Sequence, residues 1–218
     1  MVKIAITFNN NSNPGFKSGW GFSCFIENNE NILFDTGCNG KDLLYNLEKL
    51  KIDVIAIKKI ILSHEHWDHT GGLSDILRLN KNTEVFVLDS FSENLKQELR
   101  RKSNLIEISS MREISQDIFT TGPIANNPDE QSLILETKKG ILVLVGCSHP
   151  GVDKILEIAE KHGKIYGIIG GFHGFNKFDA LKNIELIGAC HCTQHTDQIK
   201  KLFPKQFIEV KTGDVVEI

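Results

Sequence analysis

An α/β fold in which two sheets are sandwiched by outer helices is the architecture this sequence predicts, on three observations. Short β-branched runs alternate with amphipathic helical stretches through both halves of the chain. The 218 residues suit one domain, 1–218, large enough to bury a sizeable core. No repeat, low-complexity tract or linker-like segment interrupts them.

Taken in order, residues 4–8, 22–26 and 31–34 read as strands, the latter two joined by the polar turn 27–30. Residues 41–50 place Leu43, Leu44, Leu47 and Leu50 on one helical stripe. A strand over 59–62 runs into the densest polar stretch of the chain, and helices follow over 72–79 and 92–102 with a strand at 84–88 between them. Strands are expected at 105–108, 117–120, 132–136 and 141–145. The spacing of Val152, Ile155, Leu156 and Ala159 predicts a helix over 152–161, stopped by Gly163. After it come a strand over 164–169, helices over 179–187 and 194–202, and a terminal hairpin over 206–218 about Thr212-Gly213-Asp214. Asn9–Trp20, rich in Asn, Ser and Gly, reads as a mobile rim, since binding loops ride on rigid scaffolds.

Composition narrows the partners. A formal charge of −3 exerts no global pull on nucleic acid or anionic membrane, so neither is an expected partner. No apolar run approaches the ~20 residues of a spanning helix. The start, Met1–Asn9, turns polar too soon for a secretory signal, which makes cytoplasmic the expected location. Five cysteines, an odd number without a CxxC pair, argue against a disulfide scaffold and for free buried thiols.

The polar stretch is Ser63-His64-Glu65-His66-Trp67-Asp68-His69-Thr70-Gly71-Gly72. At i and i+2 of extended chain, His64 and His66 project to the same side, so two imidazoles reach one metal ion. Asp68 and His69 follow where the chain turns toward a helix, aimed at a neighbouring point. Four ligands this close cannot all serve one tetrahedral ion without strain. Two adjacent ions, each completed from elsewhere in the chain, fit better.

His64-x-His66-x-Asp68-His69 resembles the signature of the metallo-β-lactamase superfamily. The resemblance implies a four-layer αββα sandwich of two mixed sheets with outer helices. It extends to Ile32-Leu33-Phe34-Asp35-Thr36-Gly37, whose Asp35 is then expected to hold the second ring nitrogen of a metal-binding histidine. Gly146-Cys147-Ser148-His149-Pro150-Gly151 resembles the site of the third histidine, so that His149 joins His64 and His66 on one ion. Cys190-His191-Cys192-Thr193 resembles the last, so that His191 joins Asp68 and His69 on the second. Thr120–Ile124, Glu130–Leu133, Gly170-Gly171-Phe172-His173 and His191–Thr193, in that order, are similar to the branch typified by dihydropterin ribofuranosyl-aminobenzene phosphate synthase.

One departure from the pattern stands out. Many superfamily members bridge the two ions with an aspartate at the end of the strand after the third histidine. Here that strand ends in Gly170-Gly171-Phe172-His173, and Asp179 lies six residues beyond His173. A hydroxide alone then bridges the ions, or His173 takes the position, or the second site is weak. His173 also suits a role facing substrate or carrying protons, as an imidazole titrates near neutrality, and that role is preferred.

The expected activity is that of a metal-dependent, dinuclear zinc hydrolase. A metal-bound hydroxide would attack an ester, phosphoester or similar anionic small molecule, with Asp68 and His173 as the candidate catalytic residues. Iron or manganese would accept the same imidazole and carboxylate ligands. Two alternatives are a metal-assisted transferase of the ribofuranosyl-aminobenzene phosphate synthase type, and a sensor that binds metal or ligand without turnover. The partner expected is a small molecule, one carrying phosphate among the candidates; the oligomeric state is left open.

Overall fold

A computed structural model describes residues 2–218. The chain divides into two compact units. The first runs to Ser109 and takes back Lys211–Glu217; the second spans Ser110–Val210 with Ile218.

The first unit holds strands β1 (Lys3–Phe8), β2 (Ser23–Glu27), β3 (Asn31–Phe34), β4 (Lys59–Ile61), β5 (Glu84–Leu88) and β6 (Asn104–Ile108). Its helices are α1 (Gly40–Lys49), α2 (Trp67–Thr70), α3 (Leu73–Leu79) and α4 (Glu93–Lys102). The second unit holds β7 (Arg112–Ser115), β8 (Ile118–Thr120), β9 (Leu133–Thr137), β10 (Gly140–Val145), β11 (Ile165–Gly171) and β12 (Leu186–Cys190). With them are α5 (Val152–Ala159) and α6 (Thr196–Leu202), and β13 (Val215–Glu217) returns to the first unit.

The two sheets expected from the alternation are present, and both are mixed. One has the order β13-β1-β2-β3-β4-β5-β6, antiparallel from β13 to β3 and parallel from β3 to β6. The other runs β12-β11-β10-β9-β8-β7, with parallel pairs β12/β11 and β11/β10 and antiparallel pairs beyond. Parallel neighbours need a crossover, and helices supply it: α1 between β3 and β4, α4 between β5 and β6, α5 between β10 and β11.

Local chemistry sets these elements. Asn39 caps α1, its side-chain oxygen accepting the backbone N–H of Lys41 and Asp42. The buried stripe of α1 includes Leu43 and Leu47 but also Asn46, a polar residue with a fixed task. Asn46 Nδ2 donates to the carbonyls of Thr7 and Lys17, and its Oδ1 accepts the N–H of Lys17. With Asn13 N–H bonded to Thr212 O, this anchors the 9–20 segment that the sequence marks as a rim. In the second unit Val143, Val145, Ile155, Ile168, Phe172, Ile187 and Ile199 form one buried core.

Two expectations need correcting, and one strand was not expected. The helix expected over 179–187 is a short 3-10 turn, Phe178–Leu181, followed by strand β12. Leu181, Ile184 and Ile187 are all buried, and their i, i+3, i+6 spacing imitates a helical stripe. The terminal hairpin is absent among the described residues. A turn does form, with Asp214 N–H bonded to Lys211 O, but β13 pairs antiparallel with β1, Lys3 opposite Glu217. Residues 112–115, unassigned from sequence, form edge strand β7 against β8. No helix among the described residues is long and apolar enough to cross a membrane.

Candidate metal centre

Every expected site residue lies just beyond the C-terminal end of a parallel strand. Asp35 follows β3, His64–His69 follow β4, His149 follows β10, His173 follows β11 and His191 follows β12. Loops at this edge of a parallel sheet are where α/β folds place ligand-binding groups.

In the first unit, Asp35 is fully buried and organises the motif. Its Oδ1 accepts the N–H of Ser63 at 2.7 Å, and its Oδ2 accepts the Ser63 hydroxyl at 2.7 Å. The same Oδ2 lies 2.6 Å from His69 Nδ1. An ionised carboxylate only accepts, so His69 carries its proton on Nδ1 and presents Nε2. That Nε2 stands 3.7 Å from Asp68 Oδ2. The Thr36 N–H and hydroxyl both bond the carbonyl of His69, at 2.8 and 2.9 Å, which fixes the backbone as Asp35 fixes the ring. Close approach of the two loops requires glycine: a Cβ on Gly72 would lie 2.3 Å from Thr36 O.

Donor bookkeeping continues through Ser63. Its hydroxyl proton is committed to Asp35, so the 2.8 Å contact with His64 Nδ1 has the imidazole donating. His64 then carries a proton on Nδ1 and turns Nε2 toward His66 Nδ1, 3.1 Å away. Two nitrogens bound tetrahedrally at about 2.1 Å to one ion sit roughly 3.4 Å apart, so this pair fits a shared divalent cation. His64 is buried, whereas His66 is exposed as the residue before α2. Residues 62–66 form a loop rather than continued strand, so the two imidazoles converge through loop geometry. Glu65, between them, turns away and accepts the N–H and hydroxyl of Ser92 ahead of α4.

In the second unit Glu130 takes the organising part. It is fully buried, and its carboxylate accepts four hydrogen bonds, all at 2.8 Å. Three come from the backbone N–H of Cys147, Ser148 and His149; the fourth comes from His149 Nδ1. His149 therefore also presents Nε2. The two stretches noted in sequence at 120–124 and 130–133 are what position Glu130. Thr121 N–H bonds Ser132 O, Ser132 N–H bonds Thr121 Oγ1, and Ile124 N–H bonds Glu130 O.

His191 is buried, and a ligand atom of Cys147 lies within 4.8 Å of one of its own. His173 is exposed, its ring centroid 5.1 Å from that of His149. Ser148, His173 and His191 all adopt positive φ, 59°, 44° and 52°, a region non-glycine residues occupy at a cost. Asp179, the one acid downstream of β11's end that sequence pointed to, sits in the 3-10 turn and pairs with Lys182 at 2.8 Å. It is not part of this constellation.

Sequence reading named Asp35 for its task but left Glu130 without one, and it did not single out Ser63. All five cysteines are thiols. Burial pushes the Cys190 thiol up well beyond its ordinary range, with neighbouring Cys192 adding to the effect, so Cys190 stays protonated. Burial also raises Cys38.

The sequence model of the metallo-beta-lactamase superfamily matches residues 21–162, which include β2 through α5 and the His64–His69 motif. The chain belongs to the metallo-beta-lactamase superfamily. Among superfamily relatives, a 7,8-dihydropterin-6-methyl-4-(beta-D-ribofuranosyl)-aminobenzene-5'-phosphate synthase from Methanocaldococcus jannaschii is 27% identical, over 94% of this chain and 92% of its own. An uncharacterised protein of the same organism is 32% identical over 79% of each chain. Among solved structures, a metal-dependent hydrolase of the beta-lactamase superfamily superposes with a TM-score of 0.82 at 26% identity, covering 100% of this chain and 99% of that one. The fold class expected from sequence, two mixed sheets with accompanying helices in a metallo-β-lactamase-like arrangement, is that of these superfamily members.

Proposed function

We propose that the protein is a metal-dependent hydrolase acting on an ester, phosphoester or related anionic small molecule. His64, His66 and His149 would hold one divalent ion, and Asp68, His69 and His191 the second, with zinc the favoured metal and iron or manganese compatible. The single observation that carries this reading is the chain from Asp35 through Ser63 to His64. It aims His64 Nε2 at the ring of His66, 3.1 Å away, a spacing that two nitrogens on one cation would share. Buried carboxylates on Nδ1 of His69 and of His149 support it, because a ligating histidine needs its other nitrogen held.

Bound ions of this kind lower the pKa of water toward neutrality and stabilise a developing oxyanion. The protein's own part is positional. Asp35 and Glu130 keep the ring nitrogens aimed and raise their basicity, Asp68 supplies negative charge beside His69, and His173 stands exposed near His149 for substrate or proton transfer. Carboxylate-held ligands cost little reorganisation when the ions bind, so the site would be preformed.

A second reading has an observation in its favour: the relative named a ribofuranosyl-aminobenzene phosphate synthase matches nearly the whole chain. On that reading the same residues would assist transfer from a phosphoribosyl donor. A sensor without turnover is the third reading, and the complete ligand set disfavours it. The deciding experiment is metal analysis of purified protein, followed by a panel of phosphoesters, lactones, thioesters and the synthase substrates, each with and without chelator. Chelator-sensitive hydrolysis supports the first reading; turnover confined to the phosphoribosyl donor supports the second. Metal binding with no turnover of any substrate leaves the sensor.

A further inference from the structure

The strand end that lacks an aspartate shows why none is there. A Cβ built on Gly170 would lie 2.0 Å from the carbonyl oxygen of Val145. On Gly171 it would lie 2.6 Å from the carbonyl oxygen of Gly146, 2.7 Å from Cys192 Sγ and 3.3 Å from Cys147 Cα. Backbone oxygens on the neighbouring strand cannot step aside, so no carboxylate-bearing side chain can project from either position. β10 and β11 are parallel partners, Val145 opposite Gly170, and Gly171 N–H bonds Gly146 O at 2.9 Å. The next residue along the neighbouring strand's end is Cys147.

Cys147 is buried, 3% exposed, and its sulfur lies within 4.8 Å of a ligand nitrogen of His191. Its backbone N–H is held by Glu130, the carboxylate that also holds the His149 ring. The residue after it, Ser148, is in the left-handed region, and its hydroxyl is bonded to Gly171 O at 2.7 Å. His191 is in the same strained region on the other side of the pair. Strain of this kind persists only where surroundings enforce it, and it collects at ligand sites. Cys190, also buried, is not among the described side chains whose ligand atoms cluster with that of His191.

We infer that Cys147 is a metal ligand: its thiolate, from the end of β10, joins His191 on the second ion and supplies the anionic charge that a strand-end aspartate gives elsewhere. This rests on the proposed reading in which Asp68, His69 and His191 hold that ion. On binding, the thiol releases its proton to solvent and a sulfur–metal bond forms. Two anionic ligands, Asp68 and Cys147, then balance a divalent charge, with two neutral imidazoles completing four coordination. A thiolate also shifts the preference of this site toward zinc over manganese.

Cobalt(II) reports the bond directly, because thiolate ligation adds a sulfur-to-metal charge-transfer absorption in the near ultraviolet. Metal-stripped full-length protein is titrated with Co2+ while stoichiometry and absorption are followed. Wild type should take up two ions and develop the band; Cys147→Ala and Cys147→Ser should lose it, and Cys192→Ala should keep it. The second ion's affinity in Cys147→Ser should fall by more than the roughly 10–100-fold that loss of a histidine's supporting hydrogen bond costs. Cys147→Ser keeps the side chain's size, so a serine variant that melts like wild type yet lacks the band supports the assignment. Two tightly bound ions in wild type without the band overturn the role of Cys147 and leave the dinuclear reading standing. A band that persists in Cys147→Ser, or vanishes only in Cys192→Ala, also overturns it. Failure of wild type to bind a second ion removes both.

Discussion

Oε2 of Glu130 lies 2.8 Å from Nδ1 of His149 and accepts that residue's backbone N–H at the same distance. One oxygen thus fixes both the ring and the main chain of the histidine, while the other takes the N–H groups of Cys147 and Ser148. Asp35 does the matching work for His69 and Ser63 in the first unit. In both places a fully buried carboxylate is retained, with its desolvation offset by hydrogen bonds that also aim an imidazole.

Removing Glu130 should therefore act on both stability and metal. Glu130→Ala strands the buried N–H donors of Cys147 and Ser148, each costing about 1–3 kcal/mol when unsatisfied, and the partly buried one of His149, so the melting temperature should fall by many degrees. Metal affinity, read by chelator competition on the folded fraction, should drop about 10–100-fold. Glu130→Gln keeps one acceptor oxygen and should lie between. Wild-type affinity in Glu130→Ala would sink the idea that this carboxylate supports a ligand.

Asp35→Ala should weaken metal binding about 10–100-fold by releasing His69. Ser63→Ala tests the relay separately. It removes the acceptor of His64 Nδ1 while Asp35 still holds His69, so the loss should be smaller and confined to the ion that His64 binds. Equal losses in the two variants, or none in either, would count against the donor chain.

Burial of Cys190 predicts an alkaline limb of stability. Its folded-state pKa is raised, so the thiol stays protonated after the same thiol in the unfolded chain begins to ionise at about 8.5. The sign follows: the contribution is intact below about pH 8.5, and stability falls as pH rises above it, by at most about 1.4 kcal/mol per pH unit. Urea titrations between pH 7.5 and 10 should show a shallower alkaline decline in Cys190→Ala than in wild type. Rapid labelling of Cys190 by a thiol reagent in the native protein at pH 8 would contradict the buried, protonated state.

How much of this was legible in sequence depends on whether a contact is local or crosses strands. The His64–His69 cluster is contiguous, so composition and spacing expose it without a fold. Asp35 follows an apolar strand within a recognisable Asp-Thr-Gly. Glu130 carries no such local mark. Its task appears only with the register of β9 and β10: Leu133 opposite Leu144 in an antiparallel pair places residue 130 across from residue 147. The β12 strand was obscured by the opposite failure, since Leu181, Ile184 and Ile187 have helical spacing but are buried one after another in a turn and a strand. The exclusion of an aspartate at Gly171 is likewise a through-space fact, set by the carbonyl of Gly146 on the neighbouring strand.

His173 separates a role in turnover from a role in metal binding. It is exposed, its main-chain carbonyl accepts the N–H of Gln194, and its ring stands 5.1 Å, centroid to centroid, from that of His149. An exposed imidazole beside His149, a proposed metal ligand, is placed to meet substrate or pass a proton, which contributes typically about 10²–10⁴-fold to rate. His173→Ala should lower turnover by roughly 10²-fold while leaving metal stoichiometry unchanged, and His173→Gln, which keeps hydrogen bonding but not proton transfer, should rescue substrate affinity more than rate. The pH–rate profile of the variants should lose one limb if the ring carries a proton. If His173 were instead the missing ligand, the alanine variant would bind one ion fewer, and the thiolate band of the cobalt protein would shift with it. Full stoichiometry with undiminished turnover would remove His173 from the site altogether.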